Sequence, residues 1–100
     1  MSVALITAGS AGLGAAAAKL FAQNGYRVVV NYANNEQRAK QLLQELLALP
    51  GLSRDSGSDP VVAIKADLGS RDDIVRLVKE TVDKFGRLDV VFSNGGWTRL

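Results

Sequence analysis

Four short apolar runs alternate with three longer stretches of helical pattern along this chain of 100 residues. The runs are typical of strands, and they are Val3–Thr7, Arg27–Tyr32, Val61–Ala66 and Val90–Phe92. The second contains three consecutive valines, as in strands that are buried on both faces. Strands separated by helices pair in parallel through right-handed crossovers. The alternation therefore predicts an α/β fold, a Rossmann-type doubly wound parallel sheet with the order β-α-β-α-β-α-β along the chain and 3-2-1-4 in space.

Capping and stop residues mark the ends of the helical stretches. Asparagine and serine side chains accept hydrogen bonds from free N–H groups at a helix start, and glycine or proline commonly follows a helix end. Gly25 follows the first predicted helix, Ala15–Asn24. Asn34 or Asn35 can cap the start of the second helix, and Pro50 with Gly51 follows its end. Ser70 can cap the third helix, with Asp73 at capping-box spacing, and Gly86 follows its end.

The second and third helices each carry one apolar stripe at helical spacing. These stripes are Ala39, Leu42, Leu43, Leu46 and Leu47 in the second helix, and Ile74, Leu77, Val78, Val82 and Phe85 in the third. In the order 3-2-1-4, the first two helices cover one face of the sheet and only the third returns across the other. We therefore expect apolar surface to stay exposed on the second face and along the edge strand Val90–Phe92, and the isolated chain to be poorly stable.

The composition excludes several classes of site. The chain has no cysteine and no histidine, which excludes disulfides, thiolate zinc sites and Ser-His-Asp catalysis. Its net charge is +2 and its basic residues are scattered, so neither nucleic acid nor an anionic membrane surface is indicated as a partner. No run is long enough for a membrane span. The glycines within Met1–Ala18 and the lack of a basic residue before Lys19 argue against a secretory signal, and we expect a cytoplasmic protein.

The segment between the first strand and the first helix, Ala8–Gly14, is rich in glycine. Glycine permits a sharp turn and lets a phosphate approach the backbone, and the free N–H groups at the helix start can hold a pyrophosphate. The fourth strand also leads into glycines, Asn94-Gly95-Gly96, at the edge where such sheets bind ligands. A P-loop is excluded, because Ala15 and Ala16 stand where it has Lys and Ser or Thr. A structural turn without a ligand is the alternative.

Three short motifs follow the ends of the first, third and fourth strands. The first is the segment from Thr7 to Gly14, which includes Gly12, Leu13 and Gly14. The second is Asp67-Leu68, and the third is Ser93-Asn94-Gly95-Gly96. In this order they resemble the T-G-x-x-x-G-[I/L]-G motif, the adenine-contacting Asp and the N-N-A-G motif of the short-chain dehydrogenase/reductase family. The chain departs from these motifs at Ala8, where the first glycine is expected and Gly9 follows one residue later. It also departs at Ser93, which replaces the first Asn, and at Gly95, which replaces the Ala.

The resemblance implies an oxidoreductase that transfers a hydride between a nicotinamide dinucleotide and a small-molecule carbonyl or alcohol, and we expect the parent protein to be a homo-oligomer. The residues that it implies in cofactor binding are Gly9, Ser10, Gly12, Leu13, Gly14, Asn31, Tyr32, Ala33, Asn34, Asp67, Leu68, Asn94 and Gly95. Asp67 and Asn94 are also residue types that form turns, and that alternative stays open.

The end of the second strand favours NADP(H) over NAD(H). NAD-selective enzymes usually place an acid there to accept hydrogen bonds from the ribose 2′-OH. Here the segment from Asn31 to Asn35 has no acid before Glu36. A carboxylate would repel a 2′-phosphate, whereas asparagine side chains can donate hydrogen bonds to one. The family often places an arginine at the positions of Ala11 and Ala33, and this chain does not.

The catalytic residues of the family have no counterpart in the chain. The family uses a Tyr-x-x-x-Lys pair and a serine beyond the fourth strand, whereas Tyr26 and Tyr32 are followed four residues later by Val30 and Glu36. We therefore expect residues 1–100 to be a single NAD(P)-binding domain, truncated before the catalytic half and inactive alone. The alternatives are a dinucleotide-binding module without turnover and, more weakly, a methyltransferase-like fold binding S-adenosylmethionine, which usually needs an acid at the end of the second strand.

Overall fold

A computed structural model describes residues 2–7, 12–49 and 60–93 of the chain. Within these ranges the strands form one parallel sheet in the order β3-β2-β1-β4. The elements are β1 Val3–Thr7, α1 Gly12–Gln23, β2 Arg27–Tyr32, α2 Glu36–Leu47, β3 Val61–Lys65, α3 Arg71–Phe85 and β4 Val90–Ser93. The predicted α/β class, element order and strand order are confirmed.

Helix α1 differs most from its predicted bounds. It begins at Gly12, three residues before the predicted Ala15, and ends at Gln23. Gly12 has a φ of +59°, a left-handed conformation that glycine adopts without the steric cost of a side chain. The sequence pattern placed the start later because glycine is a poor helix former. The glycine-rich segment therefore contributes the first turn of the helix itself.

The other two helices are capped by residues that the sequence identified. Of the two candidates for α2, Asn35 is the cap, and its Oδ1 accepts a hydrogen bond from the N–H of Arg38 at 3.0 Å. The Ser70 side chain caps α3 by accepting from the N–H of Asp73 at 3.4 Å. Gly86 ends α3 with a φ of +78°.

The alternating side chains of the sheet form two apolar clusters. Helices α1 and α2 cover one face, where the largest fully buried residues include Ile6, Val28, Val30, Leu42 and Leu46. Helix α3 covers the other face, where Leu5, Val29, Ala66 and Leu77 are buried. The prediction that apolar surface stays exposed on the second face is therefore wrong at the centre of that face. Exposed apolar surface is found instead at Val91 of β4, which is 55% exposed, and on α3. There, four apolar side chains are each more than a third exposed: Ile74, Val75, Val78 and Val82.

Asp89 fixes the amino-terminal edge of the sheet. Its Oδ2 accepts hydrogen bonds from the N–H of Val3 at 2.8 Å and from Nε of Arg87 at 2.9 Å, which joins the start of β4 to the start of β1. The Arg87 guanidinium, followed by the Val3 N–H, holds the pKa of the Asp89 carboxyl below its ordinary value. The opposite, carboxyl-terminal edge is where the sequence places the functional residues.

Candidate functional site

Parallel pairing places the carboxyl ends of the strands at one edge of the sheet. In register, Thr7 of β1 lies beside Ser93 of β4, and Tyr32 of β2 lies beside Lys65 of β3. Since β1 and β4 are sequence-distant neighbours, the strand order reverses between them, which is where doubly wound sheets bind ligands. Of the predicted site residues, Gly9, Ser10, Asn94 and Gly95 lie outside the described ranges. The remaining ones lie at this edge.

The start of α1 provides a setting for an anion. Gly12, Leu13 and Gly14 form its first turn, in which Gly14 is buried and Leu13 is 67% exposed. The first turn of α1 contains no acidic residue, whereas α2 has Glu36 there and α3 has Asp72 and Asp73. The preceding segment 8–11 is Ala-Gly-Ser-Ala, so it supplies no carboxylate either. The free N–H groups and the positive end of the helix dipole therefore suit a phosphate, and this donor set fits the pyrophosphate of a dinucleotide.

Asn31 joins the ends of β2 and β3 from within the protein. Its side chain is only 1% exposed, and its Nδ2 donates to the carbonyl of Ala66 at 3.1 Å and to that of Ile64 at 3.4 Å. Buried amides are stable only when they are hydrogen-bonded in this way. The amide of Asn31 thus holds the end of β3 in place, and any direct contact of Asn31 with a cofactor stays a prediction.

A polar groove of about 560 Å³ lies beside the end of β2, between the residues that follow β2 and those that follow β3. Its lining residues are Ala33, Asn34, Lys65, Asp67, Asp73 and Arg76. Three of them, Ala33, Asn34 and Asp67, belong to the set that the sequence predicts. Half-buried Leu68 follows in the turn before α3. We refer to this feature as the β2–β3 groove.

Asp67 begins the turn between β3 and α3. Its Oδ1 accepts from the N–H of Gly69 at 2.8 Å, and its own N–H donates to Oδ2 of Asp73 at 2.8 Å. The turn-forming alternative for Asp67 is therefore observed in these contacts. Asp67 is also exposed and lines the groove. The turn therefore fixes the position of its carboxylate and leaves it accessible to a ligand.

The groove also contains two cations that the sequence reasoning missed. Arg76 of α3 donates through Nη2 to the carbonyl of Lys65 at 2.6 Å and through Nη1 to Oε2 of Glu80 at 2.9 Å. Lys65, the last residue of β3, has an exposed side chain. The position of Lys65, two residues before Asp67, was a signal that could have identified it. Arg76 comes from a helix and reaches the groove only through packing, so no local pattern identifies it.

Ranges 2–7, 12–49 and 60–93 contain no group of three or more His, Cys, Asp or Glu side chains placed to hold a metal ion. Within those ranges, each helix is too short or too polar to cross a membrane.

Comparison with known proteins identifies the family. Residues 2–100 match the family profile described as short chain dehydrogenase. The chain belongs to this family. It is 40% identical over 94 residues to a versicolorin reductase of Emericella nidulans, covering 94% of this chain and 33% of that protein. It is 38% identical over 97 residues to the 3-oxoacyl-[acyl-carrier-protein] reductase of Synechocystis, covering 97% and 36%.

Among solved structures, the chain resembles an F189W actinorhodin polyketide ketoreductase with NADPH, with a TM-score of 0.80 and 29% identity over 96% of this chain and 33% of that one. The chain thus spans about a third of the length of the curated relatives that it matches. Family membership establishes a Rossmann-type NAD(P)-binding fold of an oxidoreductase family.

Proposed function

We propose that this chain is the NADP(H)-binding part of a short-chain oxidoreductase that reduces a carbonyl or oxidises an alcohol. The observation that carries the proposal is the composition of the carboxyl-terminal edge. There, the acid-free start of α1 and the β2–β3 groove lie at the ends of neighbouring strands. One feature suits the phosphates of a dinucleotide and the other suits its adenosine end.

Each part of the cofactor has a proposed partner in the chain. The N–H groups of Gly12, Leu13 and Gly14 bind the pyrophosphate, together with Gly9 and Ser10. The adenine amino group donates to the Asp67 carboxylate beside Leu68. The ribose lies against the segment Asn31–Asn34. Asn94 and Gly95, which lie outside the described ranges, stay in the predicted cofactor-binding set. When bound, the nicotinamide supplies or accepts the hydride.

The preference for NADP(H) rests on the charge of the groove. Neither Ala33 nor Asn34 carries a negative charge, and two cations, Lys65 and Arg76, line the same groove. The two acids of the groove, Asp67 and Asp73, both accept backbone N–H groups in the turn before α3. A 2′-phosphate carries a negative charge that an acid at the end of β2 would repel, so the absence of such an acid supports NADP(H). The ketoreductase structure that the chain resembles contains NADPH.

Turnover is proposed for the whole protein and not for this chain. Tyr26 packs edge-on against Phe21, with ring centroids 5.0 Å apart, and precedes the amino end of β2, far from the proposed site along the strand. Neither it nor Tyr32 has a lysine four residues later, so no described pair can supply and assist a proton donor. A dinucleotide-binding module without turnover is the alternative. The exposed valines of α3 are a surface that another part of the whole protein or a second copy of it would cover.

Calorimetric titration of the whole protein with NADPH and NADH tests the proposal. We expect saturable binding of both, tighter for NADPH, and NADPH oxidation with a carbonyl substrate. Residues 1–100 alone should give no turnover. Tighter binding of NADH would refute the preference, and turnover by residues 1–100 would refute the assignment of catalysis to the rest of the protein. The absence of cysteine supports a cytoplasmic location, which fractionation of the source cells tests.

A further inference from the structure

Lys65 differs from the other cation of the β2–β3 groove in its contacts. Arg76 is held by the Lys65 carbonyl at 2.6 Å, by Glu80 at 2.9 Å and by Asp73 at 3.8 Å. The ammonium of Lys65, in contrast, has no hydrogen bond or ion pair with any residue in the described ranges. Among the described residues, the charge of Arg76 is therefore already compensated, and that of Lys65 is not.

Lys65 lies next to the residues at the end of β2. In the sheet register Lys65 lies directly beside Tyr32, and it lines the same groove as Ala33 and Asn34. These are the residues against which the proposed function places the adenosine ribose. The amide of Asn31 ties the two strand ends together through the carbonyls of Ile64 and Ala66, on either side of Lys65. The backbone at Lys65 is thus held in place beside the proposed ribose site.

We propose that Lys65 binds the 2′-phosphate of NADP(H) and is the residue that sets the preference over NAD(H). This inference rests on the proposed function. A phosphate monoester carries close to two negative charges at neutral pH and offers strong acceptor oxygens to an ammonium group, whereas the 2′-OH of NAD(H) is neutral. Lys65 reaches the ribose from β3, and so takes the role of the arginine that is missing at Ala11 and Ala33.

The test compares Lys65→Gln, Lys65→Arg and Lys79→Gln in the whole protein. Lys79 is the matched control, because it is exposed on α3, does not line the groove and has no ion pair within the described ranges. Calorimetry gives the Kd values of NADPH, NADH and adenosine 2′,5′-bisphosphate. We expect Lys65→Gln to raise the Kd values of NADPH and the bisphosphate by about tenfold, as for a lost hydrogen bond between charged groups. The Kd of NADH should stay within about twofold of the wild-type value. Lys65→Arg should retain most of the preference, and Lys79→Gln should match the wild type.

Three results would overturn the inference. Equal weakening of NADPH and NADH by Lys65→Gln would indicate a structural role, and unchanged binding of both would assign the 2′-phosphate to another residue. In either case the proposed function would stand, because the wild type binds dinucleotides. A wild type that binds neither NADPH nor NADH would overturn the proposed function together with the inference.

Discussion

Replacing Asn31 with aspartate should destabilise the protein in a manner that depends on pH. The change is nearly isosteric, but it replaces a buried amide that donates to the carbonyls of Ala66 and Ile64 with a group that, when ionised, only accepts. Burying a negative charge that faces two carbonyl oxygens costs about 3–5 kcal/mol, a large part of the roughly 5–15 kcal/mol that holds a typical domain together. Wild-type Asn31 is 1% exposed, so water cannot compensate.

The sign of the pH dependence follows from burial. Burial raises the pKa of the introduced carboxyl above its unfolded value of about 3.9. Below about pH 4 the acid is neutral in both states and can donate again, so the variant should approach the wild type. As the pH rises from there through the folded-state pKa, the deficit should grow to its full size.

Urea unfolding followed by circular dichroism at pH 4 and pH 7.5 measures this, each variant being compared with the wild type at the same pH. Asn34→Asp is the matched control, because Asn34 is exposed at the same end of β2, and its effect should stay within about 0.5 kcal/mol. Asn31→Leu buries no charge and should cost about 1–3 kcal/mol at both pH values, the cost of an unsatisfied carbonyl. A deficit for Asn31→Asp that is absent, or equal at both pH values, would refute the reasoning.

Three further substitutions test the rest of the fold. Leu46→Ala removes a fully buried side chain between α2 and the sheet and should lower the unfolding free energy in urea by about 2–5 kcal/mol, whereas a loss below about 1 kcal/mol would contradict the packing. Gly86→Ala has open space for a methyl group but a φ of +78°, so it should cost about 1–2 kcal/mol from backbone strain alone, and an unchanged urea midpoint would count against that conformation. Asp89→Asn removes a carboxylate whose pKa is lowered mainly by the Arg87 hydrogen bond. The wild type should therefore be more stable at neutral pH, with the difference shrinking as the pH falls below about 4 through the lowered pKa, and a pH-independent difference would contradict this.

The sequence predicted the strands and their order because each depends on a local pattern or on a general rule. The three valines of Arg27–Tyr32 and the glycines that end the helices are signals of this kind, and the crossover rule converts them into the sheet order. The start of α1 was placed too late, because the helix begins at Gly12, a residue type that disfavours helices, and Gly14 is buried in its first turn. Local propensity contains no such information.

The site was predicted in part for the same reason. Ala33, Asn34 and Asp67 follow strand ends, and strand ends can be located from the sequence. Arg76 lies in the middle of an amphipathic helix, and its contact with the Lys65 carbonyl depends on how α3 packs against β3. The burial of Asn31 and its hydrogen bond to the Ala66 carbonyl likewise depend on the packing around β2, so no local pattern predicts them, and its place among the cofactor-binding residues stays a prediction.

An NMR titration of the ¹⁵N-labelled protein with NADPH tests most directly whether the carboxyl-terminal edge of the sheet binds a dinucleotide. Changes in amide chemical shift report which residues change their environment when the ligand binds. We predict saturable changes concentrated at Gly12–Gly14, at Ala33 and Asn34 and at Asp67 and Leu68, which lie at that edge in three separate parts of the chain. Changes concentrated around Arg87 and Asp89 at the opposite edge, or none that saturate, would contradict the account.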